Sequence, residues 1–176
     1  DPPDWEDDPG AYEFTATMTA IIEINNKQFG DVGDRLAAFD ENGNVRGVAI
    51  QLVDVPFGPH EGTILYEIQI RSNSEDEKLN FKFYNVSGDM VFNLDQQYEF
   101  IINDIIGDVI EPYILSGDPF QFNSSTQQAF YYFNLVLIND IEVDSNDWVG
   151  AFNGDVCVGT RKWDTSICGG GICDVP

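Results

Sequence analysis

The sequence is poor in positive charge: 8 lysines and arginines face 31 aspartates and glutamates, a formal net charge of −23. A surface this negative repels phosphates and anionic headgroups, so neither nucleic acid nor a lipid surface is an expected partner. Histidine occurs once, as His60, and the three cysteines, Cys157, Cys168 and Cys173, all lie late in the chain. No pair of these has zinc-ligand spacing, and His60 is remote in sequence, which argues against a zinc centre. No run approaches the roughly 18 apolar residues of a membrane-spanning helix, so no membrane insertion is expected. Capped helical stripes are missing too. So are a nucleophile elbow, an identifiable Ser/His/Asp set and a phosphate-cradling glycine loop. Carboxylate pairs suited to glycoside hydrolysis arise by chance among so many acids, and nothing selects one. The expectation is a protein that is not an enzyme and has no catalytic residues.

What is present is strand. Hydrophobic residues make up 43% of the chain and aromatics 13%, enough to fill the space between stacked sheets. The dominant period is two. Tyr12, Phe14, Ala16, Met18, Ala20, Ile22 and Ile24 share one face, while the other is mostly Glu and Thr, with Ile21 the exception. Ile64–Ile70 and Leu79–Phe83 alternate in the same way. Shorter strands are expected at Arg35–Phe39, Val45–Val53, Met90–Leu94, Tyr98–Ile102 and Pro112–Leu115. Turn residues separate them: Asn25-Asn26, Asn42-Gly43, Phe57-Gly58-Pro59, Ser72-Asn73-Ser74 and Ser87-Gly88-Asp89. Many short strands with regular turns predict an all-β, antiparallel β-sandwich of immunoglobulin-like or jelly-roll-like type.

An internal repeat organises the chain. Asp34-Arg-Leu-Ala-Ala-Phe39 returns about 113 residues later as Asp147-Trp-Val-Gly-Ala-Phe152. Each copy follows a long apolar strand and an acidic loop, and each precedes a glycine-containing turn and a second strand. The repeat predicts a complete module over residues 1–117 and an incomplete second β module over 118–176. A half-sandwich would expose an apolar face and open strand edges. The expectation is that it packs on the first module, is completed by another chain, or continues past Pro176. The opening Asp1-Pro-Pro-Asp-Trp-Glu-Asp-Asp is no signal peptide, and any leader is expected to have been removed.

The runs Tyr12-Glu-Phe-Thr-Ala-Thr, Asp34–Phe39, Val45-Arg-Gly-Val-Ala49, Tyr66–Asn73 and Leu79–Tyr84 resemble tandem modules of very large secreted surface proteins of marine and environmental bacteria. Asp147–Cys157, Trp163-Asp-Thr-Ser and Cys168–Pro176 resemble a companion module of such proteins, which continues well beyond the Asp-Val-Pro. The resemblance implies an extracellular location and an adhesin-like or fibre-like architecture. It says little about activity.

The candidate sites follow from the residues. Asp40-Glu-Asn42-Gly43-Asn44 has the D-x-N-G-N form of a calcium loop, although Val45 and Gln51 stand where such a loop wants a flexible residue and a closing Glu. The alternative is a hairpin turn. Asp31/Asp34 and Asp144/Asp147 are equivalent acidic positions and complete the candidate Ca2+ ligands. A disulfide is expected between two of Cys157, Cys168 and Cys173, leaving one thiol for a partner elsewhere in a longer sequence or for an intermolecular bond, and Gly169-Gly-Gly171 reads as a tether in its loop. Asn85 and Asn123 head glycosylation sequons. Trp148 and Trp163, with Trp5, are candidates for stacking on a sugar. The expected function is a structural module of an extracellular adhesin or filament, with other copies of itself or neighbouring modules as partners. The alternative is a carbohydrate-binding module with glycans as partners.

Overall fold

The apolar alternation that starts at Tyr12 becomes β1 (Phe14–Ile24), which places Ala16, Met18, Ala20, Ile22 and Ile24 in a buried cluster. The computed structural model describes residues 2–176 except 121, 123–125 and 155. It is all-β and divides into two compact units, 1–118 and 119–176. In the first, Asn25 and Asn26 both take positive φ, the conformation of a two-residue hairpin turn, and return the chain into β2 (Lys27–Phe29). There follow β3 (Arg35–Phe39), β4 (Val45–Val48), β5 (Ile50–Leu52), β6 (Leu65–Ser72), β7 (Lys78–Asn85), β8 (Met90–Glu99), β9 (Ile105–Ile106) and β10 (Tyr113–Gly117).

These strands form two sheets. One has the order β10-β1-β6-β5, with β2 and β9 also paired to β1; the other has the order β4-β3-β7-β8. Pairing is antiparallel except that β9 and β10 run parallel to β1. Both sheets feed one cluster: Met18, Ile22, Tyr66 and Ile68 from the first meet Leu36, Phe81, Phe83 and Phe92 from the second. Tyr66 meets Phe83 edge to face with centroids 5.8 Å apart, and Phe83 stacks on Phe92 at 6.3 Å. Ile21, the apolar exception on the other face of β1, is not stray. It joins Val55 and Leu65 in a second small cluster.

The stretch expected as one strand from Val45 to Val53 is divided. β4 pairs with β3 in one sheet, and β5 pairs with β6 in the other. Gly47 makes the passage feasible: a Cβ there would lie 2.3 Å from the carbonyl oxygen of Gln69 on β6. The backbones pass where no side chain fits.

The second unit contains β11 (Tyr131–Phe133), β12 (Leu137–Ile138), β13 (Ile141–Glu142), β14 (Trp148–Asn153), β15 (Val156–Lys162) and β16 (Cys173–Val175). They pair as β11-β16, β12-β13 and β14-β15, all antiparallel. Val143, Trp163, Cys173 and Val175 make a small core, with Val136 and Val149 against it. Several local devices of the first unit recur. Asn139 and Asp140 repeat the positive-φ turn. The hairpin β3-β4 shifts register after Ala38, opposite Gly47, and β14-β15 shifts after Ala151, opposite Gly159. Gly159 is crossed as closely as Gly47, by the backbone of Pro176 at the end of β16.

Candidate functional site

The acidic loops are built alike. Asp31 N–H donates to Asp34 Oδ2 at 2.8 Å while Asp34 N–H donates to the Asp31 carbonyl. Asp144 and Asp147 make the same reciprocal pair, again at 2.8 Å to the carboxylate. Asp34 is 3% exposed, and its Oδ1 also accepts from Val86 N–H at 2.7 Å and from the Asn85 amide at 3.3 Å. The recurrence of these acids thus has a backbone-ordering cause. Asp144 Oδ1 is likewise taken, by the N–H of Asn146 at 2.7 Å.

The D-x-N-G-N segment is a capped turn. Asp40 Oδ1 accepts from the N–H groups of Asn42 and Asn44, and Oδ2 accepts from the Asn44 side-chain amide and from Arg46, all within 3.0 Å. Burial pushes the Asp40 carboxyl upward, but the Asn44 amide and backbone, Arg46 and Asn42 together outweigh it and lower its pKa. Arg46 places its guanidinium 3.0 Å from Asp40 Oδ2, and Gly43 takes the positive φ of 84°. The guanidinium also holds Glu77 at 2.7 Å and lies 4.5 Å over the ring of Tyr12. Asp40, Asn42 and Asn44, the expected ligands of a calcium loop, are thus joined to one another by hydrogen bonds. Among the described residues no group of three or more His, Cys, Asp or Glu is placed to hold a metal ion.

The remaining candidates separate clearly. Cys168 and Cys173 form a disulfide, and Cys157 is the free thiol. Trp163 is 1% exposed in the second unit's core, which corrects its assignment to sugar stacking. Trp148 is half-buried at the start of β14, opposite Lys162. Trp5 packs edge to face on Phe39. Asn85 is buried, its amide nitrogen turned to Asp34 and its oxygen accepting from Ser87 Oγ and Gly88 N–H, so the folded module presents no glycan acceptor there. Asn123 lies outside the described residues.

The exposed apolar side chains expected of an incomplete second module are found, though sequence reasoning had not named them. In the second unit Phe130, Tyr131, Tyr132, Phe133, Leu137 and Ile138 are exposed along and beside β11 and β12. Ile138 precedes the second turn as Ile24 precedes the first, yet it is 61% exposed against 2%. Phe152, the counterpart of Phe39, is 50% exposed against 5%. The signal was legible: a repeat whose apolar pattern is kept must either bury the same face or leave it open.

The chain is all-β, and its second unit exposes several large apolar side chains. No family model, no curated protein and no solved structure matches the chain.

Proposed function

We propose that the chain is a non-catalytic structural part of an extracellular, cell-surface adhesin or filament whose modules associate through strand edges and packed faces. The observation that carries the reading is the contrast between equivalent positions: apolar residues buried in the first unit are exposed in the second. Many large apolar side chains exposed close together on a strongly charged protein support an interaction site, and open strand edges favour β-strand addition. The Cys168–Cys173 disulfide accords with an oxidising environment, and Cys157 offers a thiol for a covalent link between copies. Light scattering on the native protein tests this. Particles heavier than the 19.7 kDa chain, growing with concentration, are expected. A monomer at every concentration refutes the reading. Repeating the measurement in EDTA asks whether calcium takes part, and dissociation there would bring the loop carboxylates back as ligands.

One observation favours glycan binding as a second reading: Tyr132 on β11 is 70% exposed, and an exposed aromatic ring is a surface on which a sugar can stack. A monomeric protein retarded by immobilised polysaccharide, and released by Tyr132→Ala, would select it.

A further inference from the structure

We propose that the outward face of β3 is a docking site for an extended segment of the pattern Pro-x-Trp-x-Asp, held here by residues 3–7 of the same chain, and that the same segment of a second copy exchanges into it. The inference goes beyond the reading above. It concerns the first unit and makes no use of the apolar residues exposed in the second.

Leu36 and Ala38 of β3 belong to the core, so Arg35, Ala37 and Phe39 lie on the other face of the strand. Ala37 and Phe39 are buried there all the same. Trp5 sets its ring edge to face on Phe39 with centroids 5.4 Å apart, and Lys82 Nζ stands 4.9 Å over the same ring. Lys82 lies opposite Ala37 on β7. An apolar floor is thus bordered by the cations of Arg35, Lys82 and, on β6, Arg71. In a chain of net charge −23, such a border selects an acidic ligand.

The ligand is read at every second residue. Pro3, Trp5 and Asp7 are half-buried, while Asp4, Glu6 and Asp8 are exposed. Arg35 donates to the carbonyls of Pro3 and Trp5, and its guanidinium carbon lies 6.0 Å from the Trp5 ring centroid. Arg71 grips Asp7 with two nitrogens, Nε at 2.9 Å from Oδ1 and a terminal nitrogen at 3.0 Å from Oδ2. Specific contacts at alternate residues of an extended backbone are a mode of peptide recognition. Among the described residues none pairs as a strand with residues 2–8, so no sheet ladder ties the segment to its own copy. The exposed turn Pro9–Ala11 joins it to β1. Exchange through such a hinge remakes every contact in the partner, which is why swapping is a low-cost route to association. The second unit repeats the device: Phe120 meets Phe152, the counterpart of Phe39, edge to face at 5.5 Å. There Trp148 stands in place of Arg35, so the acid-reading border belongs to the first unit.

A tethered segment acts at about millimolar effective concentration, so the test first loosens it in place. The full chain with Trp5→Ala and Asp7→Ala keeps the docking site and serves as acceptor. A fluorescent peptide of residues 2–8 should bind it saturably, and roughly tenfold more weakly when the peptide carries Trp5→Ala. Equal affinity for the two peptides, or no binding of either at about millimolar peptide, overturns the proposal. Exchange between copies is read by mixing the acceptor with a donor, the full chain with Arg35→Leu, whose segment is intact and whose site is weakened. All three substituted positions are half-buried and outside the core, so both chains keep the fold. Native mass spectrometry should show a one-to-one pair in the mixture that neither chain forms alone. Association equal in the mixture and in each chain alone would leave the adhesin reading standing and remove this one. Pairing confined to the mixture, with the unsubstituted chain monomeric, would do the reverse.

Discussion

Replacing Asp34 by alanine tests whether the recurring acids order the backbone. The carboxylate accepts from the N–H groups of Asp31 and Val86 and from the Asn85 amide. Hydrogen bonds to a charged group contribute about 1.5–3 kcal/mol each, and a buried donor left without an acceptor costs a similar amount. Water can reach Asp31 N–H at the loop surface, but Asn85 is buried. The Asp34→Ala cost is therefore about 3–5 kcal/mol. At roughly 4 °C per kcal/mol for a domain of this size, the first unit should melt about 12–20 °C lower. The same change at Asp147, whose carboxylate holds the exposed Asp144 N–H, should cost about 0.5–1 kcal/mol, as for a surface cap. Calorimetry gives the shifts, and hydrogen exchange identifies which unit has opened. An Asp34→Ala protein within about 1 kcal/mol of wild type, or one less affected than Asp147→Ala, would refute the reasoning.

Two further outcomes follow from the loops and the disulfide. The Asp40 pKa is lower in the folded chain than its ordinary value of about 3.9, so its contribution is fully present above about pH 4 and is lost as pH falls through the folded value. Urea denaturation should accordingly show a gap between wild type and Asp40→Asn at pH 7 that narrows by pH 3; a gap that widens in acid contradicts the capped turn. Reducing the Cys168–Cys173 bridge, which spans a sequence separation of 5, should cost the second unit about 2 kcal/mol and leave the first unmoved. A calorimetric shift confined to the first unit would be inconsistent with that bridge.

Strands were legible in this sequence wherever a face alternates. Tyr12–Ile24, Leu79–Phe83 and the Asn25-Asn26 turn appear in the fold where the pattern places them. The parallel pairing of β10 with β1 was not legible, because alternation fixes a strand's faces and leaves its neighbours open. Nor was the division of Val45–Val53 at Ala49, which depends on Gly47 meeting a backbone some twenty residues away in sequence. The surroundings of the Asp40–Asn44 motif were not legible either. Its oxygens suit a cation, and the cation present is Arg46, whose other partners Tyr12 and Glu77 lie far off in the chain. Trp163 had no alternating neighbours to mark it as core. By contrast the repeat, read from a few residues, located the acidic loop and the strand after it twice, and the structure adds that each loop is tied by the same reciprocal hydrogen bonds.

The first unit's arginines are turned toward their own chain. Arg35 donates to the carbonyls of Pro3 and Trp5, Arg71 clasps Asp7 at 2.9 Å, and Arg46 bridges Asp40 and Glu77. Positive charge thus acts as an internal fastener that lashes the N-terminal arm across the sheet, leaving few cations facing outward. To an approaching molecule the module looks more uniformly anionic than its composition suggests. Two such surfaces repel at low ionic strength and come within reach of each other only as salt shortens the screening length from about 30 Å in dilute buffer to about 3 Å at 1 M. Salinity itself then sets how near two copies of the chain can come.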